Sequence, residues 1–256
     1  MTDQRRTRPR VALIGMGGLG CPAALALTDA DVDLVLLDDD EVELTNLHRQ
    51  VLYEERDVGR PKLEAARDAL VRRGVAPDRL TLLNTRFLPE NSASVLRDVD
   101  LVLEGSDNFA TKFLAADACF LAGVPVVHGA AIRWRATAWL VSPRGKPCYR
   151  CLFEDLPRGA QQNCDSAGVM GPVVGLAGAL MAELGLRWLA GEADVAGSLW
   201  TYDGLTDRLR EVPVASRPEC ALCGSAATIH DTAEARYLDP LAGSCQTSGA
   251  QVVGVS

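Results

Sequence analysis

The chain has 256 residues, of which 26 are Lys or Arg and 34 are Asp or Glu, so its formal net charge is −8. Hydrophobic residues make up 48% and charged residues 23%, which is a globular balance with enough apolar side chains for a sizeable core. A net-acidic chain is a poor general binder of nucleic acid phosphates, so we expect no nucleic acid partner. The arginines at positions 5, 6, 8 and 10 are typical of a solvated N-terminal arm.

The sequence shows neither an export signal nor a clear membrane span. Its first ten residues lack the apolar core of a signal peptide. The longest uncharged apolar stretch, Ala167–Ala182, is interrupted by glycines and a proline, and it falls short of the roughly 20 residues that a span needs. We therefore predict a buried helix there, and a soluble cytoplasmic protein without a membrane partner.

Predicted strands and helices alternate through the first half of the chain. Strands are predicted at Arg10–Ile14, Asp33–Leu37, Leu80–Leu83, Asp100–Leu103 and Pro125–Val127. Helices are predicted over Leu19–Asp29, Pro61–Arg72 and Phe109–Leu121. This alternation predicts a parallel sheet with helices on both faces.

The second half changes character. β-forming residues over Ala131–Val141 predict an antiparallel strand, and Ser198–Tyr202 with Arg208–Val212 predict a hairpin. Phe153–Ala167 is polar and predicts a mobile loop, whereas Val169–Ala190 predicts the buried helix.

A glycine-rich turn, Gly15-Met16-Gly17-Gly18-Leu19-Gly20, follows the first predicted strand and opens the first predicted helix. Glycine permits a tight turn and lets phosphate approach main-chain N–H groups. Asp38 ends the second strand, 18 positions after Gly20, where a carboxylate accepts hydrogen bonds from ribose hydroxyls. The pattern predicts a nucleotide site, with a ligand-free glycine turn as the alternative.

Basic residues follow the acidic end of the second strand, in Asn46-Leu47-His48-Arg49-Gln50 and then in Gly59-Arg60-Pro61-Lys62. A dinucleotide needs little charge beyond the helix dipole, whereas a triphosphate needs cations because charge builds on the leaving pyrophosphate. Arg49 and Lys62 therefore favour ATP over NAD. The alternative is that both are solvated surface charges.

Gly105-Ser106-Asp107-Asn108 follows the fourth strand, so Asp107 falls on the same sheet edge as the glycine turn. A carboxylate that faces phosphates needs an intervening cation, and Mg²⁺ bound through one or two carboxylates fits this arrangement. The alternative for Asp107 is to cap the next helix, a role that Asn108 or Ser106 can fill instead.

Four of the eight cysteines form two CxxC pairs, Cys148 with Cys151 and Cys220 with Cys223. A reducing cytoplasm argues against disulfides, and four thiolates make a closed tetrahedral zinc site. The 68 residues between Cys151 and Cys220 suit a clip that joins two segments of one domain. The alternative is a pair of redox motifs, but such motifs normally occur in a thioredoxin-like context, which the sequence lacks.

These motifs occur in the order seen in the MoeB/ThiF/HesA adenylyltransferases, and the chain from about Arg10 to Gly224 resembles that family. The resemblance implies an α/β fold with a Rossmann-like, doubly wound and mainly parallel sheet, continued by antiparallel strands and carrying a structural zinc site. It implies a single adenylation domain with an N-terminal arm (1–9), a nucleotide-binding half (10–130), a carrier-binding and zinc half (131–224) and a tail (225–256).

The resemblance also implies a reaction. Mg-ATP adenylates the C-terminal Gly-Gly carboxylate of a small ubiquitin-like sulfur-carrier protein, releasing pyrophosphate, and sulfur then attacks the acyl-adenylate. By the same resemblance Gly18 and Asp38 hold adenosine, whereas Asp107 holds Mg²⁺. The residues expected to bind ATP or Mg²⁺ are Gly15, Gly17, Gly18, Asp38, Asp40, Asn46, Arg49, Gln50, Lys62, Asp107 and Asn108. The expected catalytic residues are Arg49, Lys62, Asp107 and Cys164, and the expected zinc ligands are Cys148, Cys151, Cys220 and Cys223.

Cys164 lies in the polar loop before the buried helix. In part of the family a cysteine at the matching place accepts the activated carboxyl as a thioester or takes part in persulfide chemistry. In other members it is dispensable, so a bystander thiol is the alternative.

Family members typically carry a longer segment before the first strand, from which an arginine reaches the ATP of a partner subunit. That segment's Arg-Tyr-x-Arg-Gln pattern is absent here, and no sulfurtransferase domain follows the second CxxC pair. We expect a homodimer that works with a separate sulfur donor, a sulfurtransferase or a desulfurase. The alternatives are an NAD(P)-linked oxidoreductase and a non-catalytic nucleotide and zinc scaffold of the same fold.

Overall fold

The computed structural model describes residues 7–157 and 168–237. Its strands form one eight-stranded sheet in the order β3-β2-β1-β4-β5-β6-β7-β8. Strands β1 to β5 are parallel, and β6, β7 and β8 continue the sheet in antiparallel fashion. The strands are β1 Arg10–Ile14, β2 Asp33–Leu37, β3 Leu80–Leu83, β4 Leu101–Glu104, β5 Val126–Ile132, β6 Arg135–Val141, β7 Ser198–Asp203 and β8 Arg208–Pro213.

Helices cover both faces of the sheet, as predicted. They are α1 Gly20–Ala26, α2 Lys62–Arg72, α3 Pro89–Leu96, α4 Phe109–Ala122, α5 Tyr149–Leu152 and α6 Gly171–Leu189. Side chains of α1, α2 and α6 pack into the core on one face, whereas α3, α4 and α5 pack into the core on the other. Successive residues of β1 enter opposite cores, with Val11 and Leu13 on one side and Ala12 and Ile14 on the other. The doubly wound class that the sequence predicts is therefore confirmed.

Helix α6 is the buried helix that the apolar stretch predicts. By length and composition alone it is also long enough to cross a membrane. It packs instead against α1, β5 and β6. A Cβ atom at Gly178 would lie 2.6 Å from the carbonyl oxygen of Leu19, so glycine allows α6 to approach α1 this closely.

Three strand predictions need correction. β4 begins and ends one residue later than predicted, at Leu101 and Glu104, and β5 runs on to Ile132 instead of ending at Val127. The strand predicted over Ala131–Val141 is divided by a tight turn, because Arg133 has a φ of 51° and β6 begins only at Arg135. The antiparallel register of β5 with β6 explains the extension, since Ala130 pairs with Thr137 across this hairpin.

Two helices were not predicted, α3 and the single turn α5. Helix α1 is shorter than predicted, and α2 begins at Lys62 with Pro61 as its N-cap. The hairpin of β7 and β8 has its predicted pairing, and each strand ends one residue later than predicted, at Asp203 and Pro213. β3 and β4 follow one another in the chain but lie on opposite sides of β1 in the sheet. The carboxyl ends of β1 and β4 are therefore the switch point, where such sheets bind ligands.

Candidate active site

The glycine turn is held against the end of β2 by Asp38. The backbone N–H of Met16 donates to Oδ2 of Asp38 at 2.7 Å, and the N–H of Asp40 donates to Oδ1 at 2.9 Å. The turn requires glycine at both ends, because Gly15 has a φ of +88° and a Cβ atom at Gly20 would lie 1.9 Å from the oxygen of Gly15. Asp38 thus orients the turn through both of its carboxylate oxygens.

Two further side chains, which the sequence did not single out for this site, contact the backbone carbonyl of Met16. The Tyr53 hydroxyl donates to the Met16 carbonyl at 2.8 Å, and the Cys21 thiol lies 3.3 Å from the same oxygen. Burial raises the pKa of Cys21 to about 12, so this thiol stays protonated at neutral pH. Cys21 is fully buried and belongs to the core.

Lys62 brings a buried positive charge to this edge of the sheet. Its Nζ lies 2.7 Å from Oδ2 of Asp40 and 3.6 Å from Oδ1 of Asp38. Burial on its own lowers the pKa of Lys62, but the two carboxylates outweigh burial and raise it. Lys62 therefore remains an ammonium group at physiological pH.

Arg49 and Gln50 lie beside the glycine turn. A Cβ atom at Gly18 would be 3.4 Å from Cδ of Arg49 and 2.9 Å from Cγ1 of Val174. Gln50 is buried, its Nε2 lies 3.7 Å from the place of a Cβ at Gly17, and its Oε1 is buried without a hydrogen-bond partner in the described part of the chain. An orphaned buried polar atom beside an open glycine fits a site that receives a polar ligand.

Asn46 forms its hydrogen bonds within its own segment of the chain. Its side-chain amide donates to Oε2 of Glu43 at 3.0 Å, and its backbone carbonyl accepts hydrogen bonds from the backbone N–H groups of Arg49 and Gln50. Asn46 thus shapes the segment that carries Arg49.

The β4–α4 connection brings Asp107 to the same edge. Gly105 packs on the glycine turn, where its Cβ would lie 3.4 Å from the N atom of Gly20, and its N–H donates to the carbonyl of Ile14 at 3.0 Å. Asn108 caps α4 by accepting the N–H of Thr111 at 2.8 Å. The cap role therefore falls to Asn108, and the Asp107 side chain is exposed.

A buried charge cluster beneath this connection was not predicted. The carboxylate of Glu104 contacts the side chains of Lys112, His128 and Ser106. Burial alone raises the pKa of Glu104, but the Lys112 ammonium and the hydrogen bonds from His128 and Ser106 lower it to about 2. His128 is a buried histidine, and its Nε2 has no hydrogen-bond partner among the described residues.

The two CxxC pairs come together on the α4 face of the sheet, as predicted. The Sγ atoms are 3.9 Å apart for Cys148 and Cys151, 3.5 Å apart for Cys148 and Cys220, and 3.4 Å apart for Cys151 and Cys223. A tetrahedral site with Zn–S bonds of about 2.3 Å places its sulfurs about 3.8 Å apart. All four cysteines are buried and unoxidised, so the donor set fits zinc. Cys164 lies outside the described residues.

The sequence pattern of the ThiF family matches residues 3–222. The chain therefore belongs to the ThiF family.

Relatives of known name match over most of the chain. The SAMP-activating enzyme E1 of Haloferax volcanii is 39% identical over 219 residues, which cover 84% of this chain and 80% of the relative. The molybdopterin-synthase adenylyltransferase of Escherichia coli is 41% identical over 219 residues, covering 84% and 87%. The sulfur carrier protein adenylyltransferase of Thermus thermophilus is 39% identical over 240 residues, covering 88% and 86%.

A crystal structure of Escherichia coli MccB shows the same fold. It superposes with a TM-score of 0.73 at 20% sequence identity, covering 85% of this chain and 67% of that chain.

Proposed function

We propose that this chain is an ATP-dependent adenylyltransferase that activates the C-terminal Gly-Gly carboxylate of a small ubiquitin-like sulfur-carrier protein. The relative named as a sulfur carrier protein adenylyltransferase, at 39% identity, supports the substrate class, and the relative named as molybdopterin-synthase adenylyltransferase, at 41%, supports the reaction type. The products are the carrier acyl-adenylate and pyrophosphate. Sulfur transfer to the activated carboxyl follows from a separate donor.

The observation that carries the proposal is the meeting of four chemical groups at one sheet edge. Asp38 faces the glycine turn, Lys62 lies beside Asp38, Arg49 lies along Gly18, and the connection that carries Asp107 packs on the same turn. This set matches the needs of phosphoryl displacement, in which positioning and charge neutralisation replace strong base catalysis.

Each residue then has a defined task. Asp38 accepts hydrogen bonds from ribose hydroxyls, and Arg49 and Lys62 neutralise the charge that grows on the leaving pyrophosphate. Asp107, together with the phosphates, holds Mg²⁺, which when bound neutralises charge on the phosphate oxygens. The carrier carboxylate needs no general base, because it is already an anionic nucleophile. The remaining nucleotide contacts are Gly15, Gly17, Gly18, Asp40, Asn46, Gln50 and Asn108.

The cysteine cluster supplies structure in this proposal. With four thiolate ligands a zinc ion has no open coordination position, so Cys148, Cys151, Cys220 and Cys223 bind zinc as a clip. We propose one cytoplasmic domain comprising an arm (1–9), a nucleotide half (10–130), a carrier and zinc half (131–224) and a tail (225–256). The single sheet that runs through both halves supports one domain. We also propose that two copies of this chain form a homodimer.

The test is direct detection of the acyl-adenylate. The purified chain is incubated with Mg-ATP and a small carrier protein ending in Gly-Gly, and the carrier is weighed by mass spectrometry. We expect a carrier species heavier by one adenylyl group (AMP less water), and no such species with a carrier that lacks its last glycine. Turnover of ATP without any adenylated carrier would contradict the proposal.

Cys164 enters the proposal as the acceptor of the activated carboxyl. A thioester between the carrier and Cys164 would be released by a reducing thiol and would be absent in Cys164→Ser. A Cys164→Ser chain that transfers sulfur at the unmodified rate would assign the residue to the bystander class.

A further inference from the structure

One buried carboxylate fixes the β4–α4 connection from below. Glu104 is the last residue of β4 and is 0% exposed. Its Oε1 accepts hydrogen bonds from the backbone N–H of Ser106 at 2.8 Å and from the Ser106 hydroxyl. Because Ser106 directly precedes Asp107, these two bonds determine the course of the peptide that leads into Asp107.

The second oxygen of Glu104 ties the connection to the elements on either side. Lys112, in the first turn of α4, donates from Nζ to Oε2 at 2.9 Å and to the carbonyl of Gly129 in β5 at 2.6 Å. His128 of β5 donates from Nδ1 to the same Oε2 at 3.2 Å, which is the tautomer that a carboxylate partner selects. The carboxylate therefore joins β4, α4, β5 and the connection in one network.

The rest of the connection is also fastened. The N–H of Gly105 donates to the carbonyl of Ile14, and Asn108 caps α4. Between these anchors the Asp107 side chain projects into an exposed position. A rigid support around an exposed carboxylate is the arrangement by which outer partners orient a metal ligand.

We propose that Glu104 is the positioning residue for the Mg²⁺ ligand Asp107, acting through Ser106 and held in place by Lys112 and His128. This inference rests on the proposed function, because Asp107 needs a fixed position only if it meets a cation there. Glu104 is fully buried, so it acts through Ser106 and is a positioning residue.

Two substitutions test this role. Glu104→Gln keeps the shape but removes the charge that Lys112 and His128 face, and Ser106→Ala removes only the hydroxyl bond. Hydrogen exchange of the nucleotide-free chain, followed by mass spectrometry, reports the order of residues 105–108. Calorimetric titration of ATP at several Mg²⁺ concentrations reports the cation site without any turnover.

We expect Glu104→Gln to accelerate exchange at residues 105–108 by roughly tenfold and to weaken Mg²⁺-dependent ATP binding by roughly tenfold, in line with the loss of an outer partner of a metal ligand. We expect Ser106→Ala to change the exchange rate and the ATP affinity in the same direction by a smaller factor. If Glu104→Gln does not fold, Ser106→Ala tests the role of Glu104. The matched control is Asp117→Asn, an equally buried and paired carboxylate further along α4. It lowers the melting temperature but leaves both readouts within twofold of wild type.

Two results would overturn the inference. One is unchanged exchange at residues 105–108 in both variants, and the other is an equal change in Asp117→Asn. Failure of the proposed function is visible separately, because Asp107→Ala would then leave Mg²⁺-dependent ATP binding intact while the exchange measurement still reports on Glu104.

Discussion

Arg150 and Asp117 form a bidentate ion pair inside the protein. Nε of Arg150 lies 2.7 Å from Oδ1 of Asp117, and its Nη2 lies 2.9 Å from Oδ2. Arg150 stands between Cys148 and Cys151, so the pair fastens the cysteine cluster to α4. Burial alone lowers the pKa of Arg150, but Asp117 outweighs it and raises the pKa, so the guanidinium stays charged.

Removing one member of this pair is expected to destabilise the fold strongly. Arg150→Met leaves the Asp117 carboxylate buried without its counter-ion, which costs about 3–5 kcal/mol in the free energy of unfolding. Urea denaturation measures the loss. The double change Arg150→Met with Asp117→Leu removes both charges and recovers most of it.

The matched control is Arg8→Met, which breaks the exposed pair of Arg8 with Asp31. We expect no measurable change in its urea midpoint, because water screens such pairs. Equal effects of Arg8→Met and Arg150→Met would show that the buried pair has no special part in stability.

The elements with the strongest local signals were predicted best. β2 has the predicted bounds because buried parallel strands are short continuous apolar runs, as in Leu34–Leu37, and the half-buried edge strand β3 has its predicted bounds as well. Helix α3 was missed because its sequence, Pro89–Leu96, is mostly polar until its last residues. The extension of β5 was missed because Gly129 and Ala130 carry little strand preference, so pairing with β6 determines their conformation.

The candidate site divides in the same way. Motifs of short range placed the glycine turn, Asp38 and the cysteine pairs, and the structure brings these groups together. The network of Glu104, Lys112 and His128 has no local signature, because its members are 8 and 24 positions apart and meet only after β4, α4 and β5 assemble. The alternation of strands and helices predicted that the site residues share one edge of the sheet, but it did not predict the hydrogen bonds of Glu104 beneath that edge.

The pKa of Glu104 predicts a specific loss of stability in acid. Its folded value of about 2 lies below the unfolded value of 4.5, so its ionised form contributes stability that is complete above pH 4.5 and is lost as the pH falls through 2. The difference in unfolding free energy between wild type and Glu104→Gln should therefore shrink steadily from pH 5 towards pH 2, a range covered by urea titrations. A difference that stays constant over this range would contradict the assignment.

Zinc removal is expected to loosen the structure without touching the nucleotide edge. Elemental analysis should find one zinc per chain, and a strong chelator should lower the melting temperature, because the metal joins segments that are 68 residues apart in sequence. Cys220→Ser should reproduce the chelated state. Well below one zinc per chain in freshly purified protein would count against the clip.

Nucleotide specificity separates the adenylyltransferase from a dehydrogenase. ATP at about 100 times its dissociation constant should stabilise the fold by about 2.7 kcal/mol, whereas NAD should give no shift in melting temperature. Lys62→Met should lose most of the ATP effect, because the phosphates lose a cation and the carboxylates of Asp38 and Asp40 lose the ammonium group that neutralises them. Stabilisation by NAD in place of ATP would favour the oxidoreductase.

Carrier-dependent exchange of labelled pyrophosphate into ATP tests the proposed adenylation most directly. Arg49→Ala and Asp107→Ala should each lower the exchange rate by roughly 100-fold, since each removes charge stabilisation at the reacting phosphates. The exposed Glu90→Ala, on α3 and outside the residues assigned to the site, should exchange at the wild-type rate. Wild-type exchange in the Arg49 and Asp107 variants would contradict the account.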